Sequence, residues 1–471
     1  MGDSTYPGPL GRANSIIADG AEGLHSPSQA GYAGQALAAA LLAKIFRHVR
    51  MGIAVRLWSG PTFGVGATAG SAAAEPPFVL WFRTPRAVVS LVLGRDPLRL
   101  ADAYFRGEVD IEGDLFAALG LKDHLEEMSL SPAERFSAFF MALKLRSLNQ
   151  GLAAVRGSPG VQAARERAHT RGRAVRVHSK DENRDALQFH YDVSNEFYKL
   201  WLDRAMVYSC GYFERADEVI DDAQEAKLEH ICRKLLLKPG ERFLDVGCGW
   251  GALVIHAAQR HGVRAYGITL SGKQLELARA RIAAAGLGDR VTVELRDYRE
   301  LEGEALYDKV ASIGMFEHVG LKNLPVYFDT VRRMLKPGGL FLNHGITHEH
   351  SGWRRDLSTE FINRYVFPDG QLDAVSNIQR FMEDACFEIA DVEGLRAHYA
   401  LTLRAWVDRL ERRRARALEY VSEATYRVWR LYMSACALEF ESGSLGIYQI
   451  LARRRGAETP MPLTRRHLYV E

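Results

Sequence analysis

Three glycines, Gly247, Gly249 and Gly251, alternate with other residues in the segment FLDVGCGWG, which runs from Phe243 to Gly251. Its apolar start predicts a strand, and the residues after it predict a helix. Glycines at such a turn allow positive φ angles and let the backbone approach a ligand closely. The pattern lacks the Lys-Ser/Thr pair of a phosphate-binding loop, and the carboxylate of Asp245 would repel a pyrophosphate. The turn therefore favours a cationic or amino-bearing ligand.

The elements around this turn alternate between predicted strands and helices. Such alternation predicts an α/β fold with a parallel, doubly wound sheet. Ligands of these sheets bind at the carboxyl ends of the strands, where the glycine-rich turn lies. The predicted strands are 242–246, 263–268, 291–295, 309–313 and 339–343, and the predicted helices are 252–261, 272–285 and 324–334.

An acid followed by alternating glycines after an apolar strand resembles motif I of the class I S-adenosylmethionine-dependent methyltransferases. A nicotinamide-binding Rossmann domain is the alternative, but it requires G-x-G-x-x-G and an acid on the second strand, and the sequence has neither. In place of that acid, Thr269 and Gln274 are available to hydrogen-bond the ribose. Asp297 follows the third strand, the position from which such domains approach the adenine. Its alternative role is a helix N-cap.

Further segments resemble one branch of this superfamily, the cyclopropane-fatty-acyl-phospholipid synthases and their mycolic acid relatives. The resemblance extends over roughly residues 183–449, in order along the chain. It implies a class I methyltransferase fold, with a mostly parallel seven-stranded sheet between helices, together with a small N-terminal α+β domain. The matching segments are HYDVSNEFYKLWLD (190–203), YSCGYF (208–213), SIGMFEHVG (312–320), NHGI (343–346) and HYALTLRAW (398–406).

This resemblance implies two small ligands, S-adenosylmethionine and a bicarbonate ion. The residues expected to bind S-adenosylmethionine are Tyr208, Ser209, Asp245, Gly247, Gly249, Thr269, Leu270, Gln274, Asp297 and Tyr298. Those expected to hold bicarbonate as catalytic residues are Cys210, Glu317, His344, Ile346 and Tyr399.

The residue types fit such an anion site. His344, the Tyr399 hydroxyl and backbone N–H groups are able to donate hydrogen bonds to an anion, while Glu317 is able to accept the proton of bicarbonate's hydroxyl. Taken singly, Cys210 also fits a small buried apolar residue, His344 a core histidine and Glu317 a helix cap.

Methyl transfer to a cis-alkene creates a carbocation that must lose a proton, so the site needs aromatic faces and a held base. We expect Tyr191, Phe213 and Phe316 to face the substrate, although each also fits an ordinary core position. Gly211 stands where the family commonly has alanine, a change that could widen the pocket or loosen its backbone and that leaves the product open.

The expected reaction adds a methylene across a cis double bond of a phospholipid acyl chain and forms a cyclopropane. One alternative is a sister reaction that gives a methyl-branched, methylene-bearing or hydroxylated chain. Another is a lipid-binding protein without turnover, which the complete motif I and the complete anion set disfavour.

Composition narrows the class of protein. With 61 Lys+Arg against 58 Asp+Glu, the 471-residue chain has a formal charge of +3, so no strong field favours nucleic acid. The apolar run at 36–46 is shorter than the roughly 18 residues of a membrane span, and we find no signal peptide. The five cysteines include no CxxC pair, which argues against a disulfide framework and a structural zinc site, so we expect no metal. These features predict a cytoplasmic protein.

The predicted organisation has four parts. A flexible segment (1–35) precedes a small lipid-proximal α+β domain (36–155), a basic linker (156–182) and the methyltransferase domain with its helical C-terminal part (183–471).

Within these parts we predict a helix over 36–57, which packs in its domain or contacts the membrane surface. Strands are predicted at FVLWF (78–82) and AVVSLVLG (87–94), and mostly helix over 373–455. No periodic apolar face is expected at 60–77.

The partners predicted are unsaturated phospholipid and the inner face of the membrane, and we consider a homodimer possible. Arginines at 404–416 and 453–455 are the candidates for contact with anionic lipid, unless they are merely solvated.

Overall fold

The computed structural model describes residues 29–66, 76–93, 98–124, 130–148, 193–352, 360–361, 364–365, 371–457 and 461–469. The linker predicted at 156–182 and the candidate substrate residue Tyr191 lie outside the described residues. Most of the segment 1–35 also lies outside them, and residues 29–35 form the start of a helix.

Within its described residues, the N-terminal part contains a four-stranded sheet and five α-helices. Strand β1 (Ile53–Leu57) lies between β2 (Thr62–Val65), which is antiparallel to it, and β3 (Phe78–Phe82), which is parallel to it. Strand β4 (Val109–Gly113) pairs with β3 at the edge. The helices are α1 (Gln29–Ile45), α2 (Pro85–Leu93), α3 (Arg99–Phe105), α4 (Leu115–Leu119) and α5 (Pro132–Leu148).

Two predictions for this part are wrong. The predicted helix 36–57 ends at Ile45 and is followed by β1, because β1 finds partners on both sides and buries the alternating residues Ile53 and Val55. The predicted strand AVVSLVLG lies in α2, which starts at Pro85, where proline suits the first helical turn. In addition, β2 lies within the stretch 60–77, where no periodic face was expected.

The C-terminal part contains a seven-stranded sheet in the order β10-β11-β9-β8-β5-β6-β7, and the predicted fold class is confirmed. Strands β5 to β9 pair in parallel, and β11 and β10 are antiparallel. The bounds are β5 (Arg242–Val246), β6 (Arg264–Thr269), β7 (Val291–Leu295), β8 (Tyr307–Ile313), β9 (Leu335–His348), β10 (Phe387–Gly394) and β11 (Leu445–Arg454).

Helices cover both faces of this sheet because its central strands bury alternate residues on opposite sides. Phe243 belongs to the core beneath one set of helices, and Leu244 belongs to the core on the other face. The helices are α6 (Asn195–Trp201), α7 (Ile220–Lys234), α8 (Ala252–His261), α9 (Gly272–Ala284), α10 (Leu324–Met334), α11 (Val375–Asp384), α12 (Arg396–Arg412), α13 (Arg414–Ala417), α14 (Glu423–Ser442) and α15 (Arg466–Tyr469).

The tail 373–455 was predicted to be mostly helical but contributes two strands. Strand β11 pairs with β9 from Leu445 to Arg453, and β10 pairs with β11 at the edge of the sheet. These strands form through partners that are distant in sequence, so local periodicity did not reveal them.

Strand order reverses next to β5, since β6 lies on one side of it and β8 on the other. Such a point in a parallel sheet leaves a crevice at the carboxyl ends of the strands. Asp245 and the glycine-rich turn end β5 at this position, so the fold brings the predicted cofactor residues to the crevice.

The N-terminal part packs against α14. Arg427 donates hydrogen bonds to the carbonyl oxygens of Tyr104 (3.0 Å) and Val109 (3.2 Å), and it pairs with Asp110 at 3.1 Å. Arg430 donates to the hydroxyl of Tyr104 at 2.9 Å. These contacts tie β4 and α3 to the C-terminal part. Among the described helices, none combines the length and apolar character of a membrane-spanning segment.

Candidate active site

A cavity lies at the carboxyl ends of β5, β6 and β8, beside the glycine-rich turn. Gly247, Gly249 and Gly251 all have positive φ angles, of 92°, 53° and 83°. The amides of Gly247 and Cys248 both donate to the carbonyl of Ile268, at 3.0 and 2.9 Å, which holds the turn against β6. The backbone thereby borders the cavity directly.

Asp245 is the buried acid of this cavity. Its side chain is 2% exposed, and its Oδ1 has no hydrogen-bond partner among the described residues. Burial raises the pKa of the carboxyl to about 7, although the Lys227 ammonium opposes the shift. A buried carboxylate oxygen without a partner favours a ligand that brings hydroxyl or amino donors, as S-adenosylmethionine does.

Nine of the ten predicted cofactor residues line this one cavity. Thr269 donates a 2.7 Å hydrogen bond to Oε1 of Gln274, so the two side chains substituting for the missing acid are joined. The nine residues are Tyr208, Ser209, Asp245, Gly247, Gly249, Thr269, Leu270, Gln274 and Tyr298.

Asp297, the tenth, is not among the residues that border the cavity in the described part of the chain. Its carboxylate accepts from the backbone N–H of Arg299 at 2.9 Å and pairs with the Arg299 guanidinium at 2.7 Å. Asp297 therefore caps a short 3₁₀ turn, the alternative considered for it.

Lys227 is a cavity residue that the sequence analysis missed. It extends from α7, is 2% exposed, and donates a 2.9 Å hydrogen bond to the hydroxyl of Ser209. Burial lowers the pKa of the ammonium to about 8. The sequence pattern could have predicted that Lys227 is buried. Lys227 is spaced at helical intervals from Ile220, Ala223 and Ile231, and a lysine on the apolar face of a helix must be buried with the apolar residues of that face.

Glu317 and Ile346 of the predicted anion site are in direct contact. The backbone N–H of Ile346 donates a 2.8 Å hydrogen bond to Oε1 of Glu317. Oε2 of Glu317 is buried and has no hydrogen-bond partner among the described residues. Burial raises the pKa of Glu317 to about 7, against the opposing effect of the Ile346 N–H.

His344 lies two residues earlier on β9 and is also buried. Its Nδ1 is 3.4 Å from the side-chain nitrogen of Gln449, and its Nε2 has no partner in the described part of the chain. Burial holds the pKa of His344 well below its ordinary value, so the imidazole is neutral. A neutral imidazole and the carboxyl of Glu317 thus each present one unpaired polar atom.

Cys210 and Tyr399 meet at Leu395. The Cys210 thiol is 3.8 Å from the carbonyl oxygen of Leu395, which also accepts the backbone N–H of Tyr399 at 3.1 Å. The N–H of Leu395 donates to Ile447, which is the β-sheet neighbour of Ile346. Burial raises the pKa of Cys210, so it remains a thiol. A series of backbone and side-chain hydrogen bonds therefore runs from Cys210 and Tyr399 through Leu395 and the β11–β9 pairing to Ile346 and Glu317.

Bicarbonate fits these residues in its chemistry. The unpaired Glu317 Oε2 and His344 Nε2 are buried polar atoms that need a partner. An anion with its own hydroxyl is able to satisfy both a carboxylate and hydrogen-bond donors.

Gly211 is closely surrounded. A Cβ atom there would lie 3.3 Å from the Phe213 ring and 3.4 Å from both Ala223 and the Thr402 hydroxyl. The amide of Gly211 donates to that hydroxyl at 2.9 Å. The glycine therefore does not widen the pocket, since its neighbours occupy the space, and an alanine would require them to shift by a few tenths of an ångström.

The predicted aromatic residues occupy core positions. Phe316 and Phe213 are 3% and 7% exposed and belong to the hydrophobic core, and neither is among the described residues that border the cavity. Tyr208 does border it and stacks within a larger aromatic cluster that the sequence analysis missed. Its partners are Tyr198, Trp201, Trp406 and Trp429, at centroid distances of 5.3 to 6.1 Å.

This fold and the position of its cavity define a class I S-adenosylmethionine-dependent methyltransferase. The family model described as mycolic acid cyclopropane synthetase matches residues 178–450, and the chain belongs to that family. A solved structure of mycolic acid cyclopropane synthase CmaA1, complexed with SAH and CTAB, superimposes with a TM-score of 0.54 at 32% identity. The alignment covers 57% of this chain and 98% of that one.

Two curated relatives match different lengths of this chain. A probable fatty acid methyltransferase of Pseudomonas putida is 37% identical over 434 residues, which cover 91% of this chain and 99% of the relative. The cyclopropane-fatty-acyl-phospholipid synthase of Escherichia coli (strain K12) is 39% identical over 277 residues, covering 59% of this chain and 69% of the relative. The similarity to the first therefore includes the N-terminal part.

Proposed function

We propose that this enzyme transfers a methylene from S-adenosylmethionine to a cis double bond of a phospholipid acyl chain and so forms a cyclopropane ring. The observation that carries the proposal is the pair of unpartnered buried atoms, Glu317 Oε2 and His344 Nε2, among the described residues. Glu317 lies between Met315 and His318, which border the cofactor cavity, and the Lys227 ammonium in that cavity lowers the pKa of both His344 and Asp245.

The residues of the chain have separate tasks in this reaction. When bound, S-adenosylmethionine supplies the electrophilic methyl group and bicarbonate the base. Asp245 and the glycine-rich turn hold the methyl donor, and the dry aromatic wall around Tyr208 excludes water and favours positive charge. Glu317, held by Ile346, and neutral His344 would hold and orient the bicarbonate.

A phospholipid substrate requires contact with a bilayer, and α5 supports such contact. Phe136, Phe139, Phe140 and Leu143 follow one helical face and are 67%, 46%, 52% and 37% exposed. The exposed Lys144 is adjacent to this face. An exposed aromatic face beside basic side chains is typical of helices that lie in the membrane interface. We propose that α5 docks on an anionic bilayer, which corresponds to the inner face of the membrane.

The arginine clusters predicted to bind lipid support this contact less well. Arg404 pairs with Glu441, Arg414 with Glu423 at 2.8 Å, and Arg453 with Glu388 at 2.6 Å. Carboxylates of the same chain therefore compete with lipid phosphates for these guanidinium groups.

A sister reaction is the second candidate, and the Pseudomonas putida relative favours it, because that protein is named a probable fatty acid methyltransferase. The same carbocation would then lose a different proton to give a methylene-bearing or methyl-branched unsaturated chain, or take up water and release a proton to give a hydroxylated, methyl-branched chain.

Mass spectrometry of lipids separates these candidates. The protein is incubated with cis-unsaturated phospholipid vesicles and methyl-labelled S-adenosylmethionine. A labelled gain of one CH2 that resists mild hydrogenation supports the ring, and the same gain with a reducible double bond indicates the sister reaction. Binding of the cofactor without any labelled phospholipid contradicts the proposed substrate.

A further inference from the structure

Three side chains with metal-ligating atoms, those of Cys232, His256 and His261, meet between α7 and α8, outside the active site described above, and Glu229 contacts the two histidines. Glu229 and Cys232 come from α7, and His256 and His261 come from α8. The sulfur of Cys232 and one ring nitrogen from each histidine all lie within 4.8 Å of one another.

Glu229 brings the two histidines to one point. Nε2 of His256 and Nε2 of His261 both donate to the same carboxylate oxygen, Oε2, at 3.0 and 3.1 Å. The other oxygen accepts from Nε of Arg233 at 2.9 Å, which orients the carboxylate. A supported carboxylate of this kind resembles the outer contacts that orient ligands in metal sites.

The distances are close to those of a zinc site. Zinc binds sulfur at about 2.3 Å, histidine nitrogen at about 2.0–2.1 Å and carboxylate oxygen at about 2.0–2.2 Å in tetrahedral sites. Those bond lengths place neighbouring ligand atoms about 3.3–3.7 Å apart. The cluster therefore needs side-chain shifts of about an ångström to enclose the ion. One sulfur and two imidazole nitrogens form a ligand set that suits Zn²⁺ better than Mg²⁺ or Ca²⁺.

A metal ion in solvent is able to reach this cluster. Cys232 is fully buried at the base of the cluster, whereas the side chains of His256, His261 and Glu229 are 11%, 18% and 29% exposed.

We infer that Cys232, His256 and His261 form a zinc site that ties α7 to α8, with Glu229 orienting the two histidines. Helix α8 starts at the end of the glycine-rich turn, and α7 carries Lys227 into the cofactor cavity. The ion thus braces two walls of that cavity, whatever the methyl acceptor is. From the sequence we expected no metal, because the chain has no CxxC pair. The ligands inferred here come from two helices and form no such motif.

Metal analysis of the full-length protein tests the site. After treatment with a chelator and dialysis, we expect added Zn²⁺ to bind at one ion per chain and to raise the melting temperature. His256→Gln and His261→Gln should each weaken zinc binding at least tenfold. Cys386→Ser and His350→Gln, which change an exposed cysteine and an exposed histidine elsewhere, are the matched controls and should bind as the wild type does.

Cobalt substitution identifies the sulfur ligand without depending on the folding of a histidine variant. Co²⁺ bound to the wild-type protein should show a thiolate charge-transfer absorption, and Cys232→Ser should remove it. The inference is overturned if the wild type binds no zinc, if the histidine variants bind zinc as tightly as the controls, or if the cobalt protein lacks the thiolate absorption.

Discussion

The backbone N–H of Ile346 donates a 2.8 Å hydrogen bond to Oε1 of Glu317, joining a residue of β9 to the turn after β8. This contact directs the second carboxylate oxygen into buried space where no described residue pairs with it. Gly345, between Ile346 and His344, makes the contact possible, because a Cβ atom there would lie 2.9 Å from Oε1. The contact between Glu317 and Ile346 therefore depends on close approach of the turn after β8 to the end of β9.

Glu317→Gln should reduce turnover by about 100-fold or more, the effect expected when a group that positions a general base is lost. The affinity for S-adenosylmethionine should change little, because Glu317 is not among the described residues bordering the cofactor cavity. Turnover and calorimetric binding measure the two effects. Glu302→Gln, on the exposed surface, is the matched control, and equal turnover in both variants contradicts the role given to Glu317.

The raised pKa of Glu317 predicts a dependence of stability on pH. Its pKa is about 7 in the folded protein and 4.5 ordinarily, so the folded state binds the proton more tightly. The contribution of Glu317 to the free energy of unfolding is therefore complete below pH 4.5. It falls by at most about 3 kcal/mol as the pH rises towards 7. Asp245 acts in the same direction. Denaturant unfolding between pH 4.5 and 7.5 should therefore show a smaller loss of stability in Glu317→Gln than in the wild type.

Gly345→Ala should lower the free energy of unfolding by about 1–3 kcal/mol or more, as overpacking does. A Cβ atom at this position would lie 2.1 Å from Cε1 of the buried Phe316 ring. Thermal and denaturant unfolding measure the change. Gly272→Ala is the control, because no heavy atom lies within 4 Å of the Cβ position there. Equal stability of the two variants would show that the approach at Gly345 is not tight.

Lys227→Met should weaken S-adenosylmethionine binding at neutral pH by about tenfold. The Lys227 cation lowers the pKa of Asp245, so without it the carboxyl holds its proton up to a higher pH. Calorimetric titrations at several pH values should show the onset of tight binding shifted upward in pH. Lys238→Met removes an exposed lysine and should leave the profile unchanged. Identical profiles for wild type and Lys227→Met would exclude this electrostatic role.

Phe136→Ser/Phe140→Ser should reduce flotation of the protein with anionic phospholipid vesicles by about tenfold, because two exposed aromatic rings no longer enter the interface. Arg404→Gln/Arg414→Gln is the comparison and should float as the wild type does, since both arginines are paired with glutamates. Gel filtration without vesicles tests the other possible occupant of this face. A dimer that the double phenylalanine variant loses would assign α5 to a homodimer instead.

The sequence alone identified the parts of the site that are encoded locally. The glycine-rich turn, its preceding acid and the alternating elements after it depend on short-range spacing, and the structure places nine of the ten predicted cofactor residues around one cavity. Local patterns did not predict the strands whose conformation depends on a pairing partner distant in sequence. Strands β1, β10 and β11 form because neighbouring strands pair with them.

Only the tertiary structure decided which distant residues meet. Glu317 reaches Ile346 because β8 and β9 are parallel neighbours, and Cys210 reaches Leu395 across the packing of α12. Lys227 enters the cofactor cavity, and Cys232 meets His256, because α7 packs against the sheet and α8. The spacing of residues along the chain predicts residue types at motifs and the apolar faces of helices. Which side chains converge depends on strand order and helix packing, and these arise only when the whole core is buried.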